Sequence, residues 1–137
     1  MDKIFLKDLK IKTRIGIFDW EKQIDQIINI NIEVGTDIKK AAKTEDVKYS
    51  LDYKALSNKV KEYVANNHHD LIETLIENIA EMILLEFKVE YVTISISKPG
   101  AIRDSQDVGI IITRNVFLIN LVIVAIFNVS GLLNCCS

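Results

Sequence analysis

Val92-Thr93-Ile94-Ser95-Ile96-Ser97-Lys98-Pro99-Gly100-Ala101 carries two signals at once. Its first six residues alternate, with Val92, Ile94 and Ile96 on one side of a strand and Thr93, Ser95 and Ser97 on the other. That is the period of a sheet with one buried face. Lys98 keeps the apolar parity, so its side chain points with the core residues and not with the hydroxyls. The chain's only proline follows at once, then a glycine, and the pair ends the strand sharply. An ammonium at the mouth of an apolar face, held on a rigid strand end, suits proton transfer. The same register also suits a terminal lysine that snorkels its charge to water.

Working outward, two earlier segments show the same alternation. Leu9, Ile11, Thr13, Ile15 and Ile17 interleave with Lys10, Lys12, Arg14 and Gly16, and Ile28, Ile30, Ile32 and Val34 interleave with Asn29, Asn31 and Glu33. Phe18 to Gln23 breaks both periods and reads as the hairpin loop between them. Lys39 to Lys48 is polar and irregular, with room for a short helical turn. From Asp52 the period becomes helical, with Tyr53, Leu56, Val60 and Tyr63 or Val64 on one face. Asn66-Asn67-His68-His69 interrupts it, and a second helix from Asp70 keeps Ile72, Leu75, Ile76, Ile79, Ile83 and Phe87 on its apolar stripe. Strands over Val89–Lys98 and Asp107–Arg114 complete a ββααββ order. The expected class is α+β, with two helices packed on one face of an antiparallel four-stranded sheet.

A length of 137 residues fits one compact domain with a real core, and the net charge of −2 gives no nucleic-acid footprint. The N-terminal Met1-Asp2-Lys3 places charges where a signal peptide needs an apolar run, so a cytoplasmic body is expected. Cys135 and Cys136 are adjacent, which neither staples a fold nor matches a zinc motif. Charge is distributed very unevenly. Every Lys, Arg, Asp and Glu lies at or before Arg114, and residues 115–137 carry none. The chain therefore divides into a domain over 1–114 and an apolar extension over 115–137, outside the fold. As a helix, its apolar residues 116–133 would reach roughly 27 Å, near the lower limit for a hydrocarbon core of ~30 Å. Membrane contact through that tail competes with an aggregation-prone extended segment.

Four further positions invite chemistry, each beside a plainer reading. Glu73 follows Asp70 by three residues at a helix start, which is capping-box spacing. Glu21 sits beside Trp20 in a hairpin loop, where carboxylates are ordinarily solvated, and Tyr53 falls on the apolar face of a helix. His68-His69 invites a metal, yet adjacent side chains diverge and no third ligand is sensibly spaced, so no metal site is expected. No phosphate loop, dinucleotide fingerprint or nucleophile elbow is present. An enzyme built on this chain works with acid–base groups.

Taken in order, Gly16-Ile17-x-Asp19-Trp20-Glu21, Leu51-Asp52-Tyr53, Leu71-Ile72-Glu73, Ser97-Lys98-Pro99-Gly100-Ala101 and Val108-Gly109-Ile110 resemble the dihydroneopterin aldolases of folate biosynthesis over residues 3–114. The resemblance implies a tunnelling fold, a pterin substrate, no cofactor and a homo-octamer with active sites between subunits. It implies Lys98 as the proton-transfer group, with Tyr53 and Glu21 assisting. Glu73 would anchor the pterin ring, with backbone groups around Ile72 completing that edge. Two rival readings share the fold: a dihydroneopterin triphosphate 2′-epimerase, and a non-catalytic pterin-binding protein. The intact Lys98-Pro99-Gly100-Ala101 run favours the aldolase over the first, and intact Glu21, Tyr53, Glu73 and Lys98 favour an enzyme over the second.

Overall fold

A computed structural model of the chain describes residues 1–116, so the tail beyond Val116 lies outside the described residues. Four strands, β1 (Lys3–Thr13), β2 (Gln26–Gly35), β3 (Tyr91–Ser97) and β4 (Gly109–Asn115), form one sheet in the order β1-β2-β3-β4, antiparallel throughout. A six-residue helix α1 (Lys39–Thr44) and a 3-10 turn at Val47–Tyr49 lead into the two main helices, α2 (Tyr53–Asn66) and α3 (Ile72–Glu86). Both main helices lie on one face of the sheet, α2 against β1 and α3 against β3 and β4. The expected architecture is the observed one.

The core sits between helices and sheet. Ile28, Ile30, Ile32 and Val34 of β2 meet Val92, Ile94 and Ile96 of β3, all fully buried, under Leu56, Val60 and Val64 of α2 and Leu75, Ile76, Ile79 and Ile83 of α3. Each such aliphatic side chain contributes about 1.5–3 kcal/mol on burial. The opposite face mixes polar side chains with the exposed apolar Phe5, Ile27 and Ile111, and on it Asn31 Nδ2 donates to Ser95 Oγ at 3.1 Å while the Thr93 and Thr113 hydroxyls lie 2.9 Å apart.

Several boundaries differ from the sequence reading, with β3 shortened to Tyr91–Ser97 and β4 shifted to Gly109–Asn115. β1 begins six residues before Leu9, because Ile4 and Leu6 face the core on even positions while Leu9 and Ile11 do so on odd ones. A bulge between Leu6 and Leu9, with Asp8 at φ +58°, absorbs the slip in parity. β1 ends at Thr13, so Ile17, expected on its buried face, is exposed in the loop. Asp52 caps α2, its side chain accepting from the Ala55 N–H at 2.9 Å, and this turns Tyr53 out of the core to 61 % exposure. α3 starts at Ile72, not Asp70. Its N-cap residue Leu71 makes no side-chain cap bond, so the capping box is not formed.

Candidate active site

The sheet and α3 close around a cleft of about 350 Å³ lined by Gly16, Ile17, Glu21, Asp70, Leu71, Ile72, Glu73, Lys98, Val108, Gly109 and Ile110. Lys98 enters it as the parity of β3 requires. Its own N–H donates to the Val108 carbonyl at 2.8 Å, so pairing with the neighbouring strand segment continues one residue beyond β3. Pro99 and Gly100 then occupy the central positions of a turn, with Gly100 at φ +72° and the Ala101 N–H returning to the Lys98 carbonyl at 3.3 Å. Strand pairing on one side and a stiff turn on the other fix the lysine backbone. The ammonium is left inside, its side chain only 17 % exposed, donating to Glu21 Oε2 at 3.0 Å.

Glu21 is the one buried charged residue among the described residues. The loop folds it inward through Gly16, whose φ of +140° suits glycine alone. A Cβ there would lie 2.3 Å from the Glu21 carboxyl carbon. The carboxylate also meets the Phe18 N–H at 3.5 Å and the Gln26 side-chain amide at 3.4 Å, and that amide donates to the Ile15 carbonyl at 2.9 Å as well. The Lys98 hydrogen bond holds the Glu21 carboxyl below its ordinary range, against the upward push of burial and with help from Gln26. Both side chains of the pair are largely shielded from water. Removing either partner of such a pair leaves a stranded charge, at a cost of about 3–5 kcal/mol.

Glu73 stands in the first turn of α3, where the helix dipole favours negative charge. Its carboxylate has no hydrogen-bond or ion-pair partner among the described residues. Asp70, the other half of the expected capping box, turns away to His68 Nε2 at 3.1 Å, with Lys22 Nζ at 4.0 Å. Ile72, beside Glu73 and half-buried, completes this wall. The histidine pair is occupied structurally. His68 Nδ1 lies 3.1 Å from the Arg14 carbonyl oxygen, and His69 Nε2 lies 3.1 Å from the Tyr63 hydroxyl. Burial lowers the His69 pKa, and the neighbouring His68 lowers it further.

The cleft thus unites Lys98, Glu21, Glu73 and Ile72 within one chain. Tyr53 does not join them. Leu51 and Asp52 line a hollow with Glu86 and Phe87, which puts the start of α2 beside the end of α3. Glu86 lies thirteen positions beyond Glu73 on the same helix, about 20 Å at the rise of an α-helix. Gln26 is the site residue that the sequence reading passed over. Its signal was available, because Gln26 extends the apolar parity of Ile28, Ile30 and Ile32 just as Lys98 extends that of Ile96.

A family model described as dihydroneopterin aldolase matches residues 4–113. The dihydroneopterin aldolase of Escherichia coli (strain K12) is 39 % identical over 114 residues, which are 83 % of this chain and 93 % of that protein. The crystal structure of E. coli dihydroneopterin aldolase in complex with neopterin superimposes with a TM-score of 0.82 at 38 % identity, covering 84 % of this chain and all of that one (100 %). A dihydroneopterin triphosphate 2′-epimerase from Pseudomonas aeruginosa is more distant, at 27 % identity over 80 % of this chain and 89 % of the epimerase. The relatives it matches place the chain among the aldehyde-lyases. Within that class the chain belongs to the dihydroneopterin aldolase family of folate biosynthesis.

Proposed function

We propose that this cleft breaks the C1′–C2′ bond of 7,8-dihydroneopterin, releasing glycolaldehyde and 6-hydroxymethyl-7,8-dihydropterin. A base takes the 2′-hydroxyl proton, the bond electrons pass into the pterin's own imine, and an acid returns a proton to the enol carbon C1′. The ring is the electron sink, so the residues need only bind, orient and move protons. The observation that carries the reading is the meeting of a buried Lys98–Glu21 pair with the unpartnered Glu73 carboxylate in one cleft.

Glu73 accepts two parallel hydrogen bonds from the ring N–H and the 2-amino group, and backbone groups around Ile72 complete that edge. Lys98 relays the protons. Glu21 keeps the ammonium in place. Tyr53 assists at the side-chain hydroxyls from a neighbouring subunit, since it lies exposed at the far end of its own chain. The active unit is accordingly a homo-oligomer, an octamer by the family's pattern, with each site shared between copies and working in the cytoplasm. The catalytic domain is read as residues 1–114, and sheet pairing carries on just past it, with Asn115 opposite Tyr91 and the Val116 N–H donating to the Glu90 carbonyl at 3.1 Å. Among the described residues no helix is long and apolar enough to cross a membrane.

Incubation of the full-length protein with 7,8-dihydroneopterin, followed by product chromatography, tests the reading. Appearance of both products is the expected result, with the 2′-epimer as a minor companion if released glycolaldehyde adds back. Conversion to the epimer without cleavage would overturn it.

A further inference from the structure

We propose that Gln26 is a positioning residue, which orients the Glu21 carboxylate so that Glu21 can in turn hold the Lys98 ammonium. The kinetic part of this inference rests on the aldolase reading above, while the structural part does not.

Gln26 opens β2 at the sheet edge where β3 delivers Lys98, since Asn29 pairs with Ser97 in the antiparallel register. Its amide nitrogen is fixed by two acceptors, the Ile15 carbonyl at 2.9 Å and Glu21 Oε2 at 3.4 Å. Those acceptors flank Gly16, the residue whose backbone lies against the Glu21 carboxylate. One amide thus pins the loop before the turn and the carboxylate after it. Lys98 Nζ and Gln26 Nε2 both meet Oε2, and Oε1 keeps only the 3.5 Å contact with the Phe18 N–H. Without the amide, Oε2 retains Lys98 alone and a neutral Glu21 becomes easier to form. A neutral Glu21 holds an ammonium poorly.

The other charged groups facing Glu21 are few. Lys98 comes from the end of β3, Asp70 and Glu73 come from the start of α3, and Lys22 follows in the loop. The segment running into β4 offers Val108, Gly109 and Ile110, and the other side of the turn offers Gly16 and Ile17, all without charge. A substitution at Gln26 leaves every one of these groups in place, so a change in Glu21 titration reports on the amide itself.

The test compares wild type with Gln26→Met, which keeps bulk without a donor, and Gln26→Glu, which keeps shape and brings a second carboxyl. Two readouts are needed: carbon NMR titration of the Glu21 carboxyl, and the pH profile of kcat/KM with 7,8-dihydroneopterin. In Gln26→Met the carboxyl titration should move up by about half a pH unit, the size expected for one long neutral hydrogen bond. In Gln26→Glu it should move further, because a like charge joins the site. The acid limb of kcat/KM should follow in the same order. A purely structural role would lower thermal stability and leave the titration and the limb where they were, which would overturn the proposal. Should Gln26→Met fail to fold, Gln26→Leu, which also lacks a donor and adds no charge, takes its place. A wild-type protein without aldolase activity would refute the functional reading, while the NMR titration would still decide the link between Gln26 and Glu21.

Discussion

The two ends of α3 make an instructive contrast. At its start, Lys98, Glu21 and Glu73 come from three distant stretches of sequence and meet in one cleft, held by strand pairing, a tight turn and a buried ion pair. At its far end, Leu51 and Asp52 line a hollow with Glu86 and Phe87, and Tyr53, next in sequence, is mostly in solvent. In the proposed reading the first end handles protons, and the second presents a phenol on a capped helix start for another copy. On that reading, burial separates the part of a site that one chain can preorganise from the part left for a second copy to supply.

The largest effect that could break this contrast is at Lys98. Lys98→Ala should lower turnover by ~100-fold or more while pterin binding survives. It also strands the Glu21 charge, so thermal stability should fall, and adding Glu21→Gln should restore melting temperature without restoring turnover. Near-normal turnover in the folded single variant would remove Lys98 from the mechanism.

Glu73 comes next. Glu73→Gln offers one acceptor and one mismatched donor to a ring edge that needs two acceptors, and should weaken pterin affinity by about 2–4 kcal/mol. Its melting temperature should barely move, because the structure gives this carboxylate no capping bond. A loss of stability with unchanged affinity, measured by calorimetry, would return Glu73 to a helix-end role.

The far end is sharpened by mixing. Inactive Lys98→Ala and Tyr53→Phe proteins, unfolded together and reassembled, should regain up to about one quarter of wild-type activity if each site draws its two halves from different subunits. No recovery in properly assembled mixtures would place both groups in the same chain's site.

The smallest expected effect concerns acid. The folded-state pKa of Glu21 lies below its unfolded value, so its ionised form stabilises the fold above the ordinary carboxylate range. That contribution is lost as pH falls through the depressed folded value. Melting temperature should therefore drop more steeply between about pH 5 and pH 3 in wild type than in Glu21→Gln. Parallel curves would mean that the pair contributes nothing to folding.

Much of this was legible before any coordinates, for reasons that particular residues make plain. Lys98 and the β3 core residues were readable because a strand alternates strictly and no bulge intervenes between Val92 and Lys98. Most of the buried stripe of α3 was readable because Leu75, Ile76, Ile79 and Ile83 keep helical spacing, whereas Ile72 and Phe87 flank it half-buried and buried Ala80 and Leu84 were passed over. The start of β1 was not, since one bulge moves the apolar residues from even to odd positions. Tyr53 misled because an apolar-face position in the first turn still depends on how the cap at Asp52 sets the helix rotation. Glu21 stood out in the sequence only as a loop carboxylate whose plain reading is solvation, and the family resemblance raised it. Its burial arises from a glycine turn and an amide, each five residues away, together with a lysine 77 positions away, and that last partner is not local in sequence. The charge-free residues 117–137, where the tail was read as a marginal span or an extended segment, fall outside the described residues.

The ion pair joins two parts of the chain with different claims on permanence. Lys98 is anchored to β3, an interior strand hydrogen-bonded on both sides, whose amides should exchange with solvent only when the whole domain unfolds. Glu21 rides on the Phe18–Gln23 loop, held by short-range turns and flanked by the exposed Phe18 and Trp20 rings. Such a loop opens at far smaller free energy than the sheet. The lifetime of the pair is therefore the closed lifetime of the loop, and each opening hands Lys98 to bulk water without disturbing the strand that carries it.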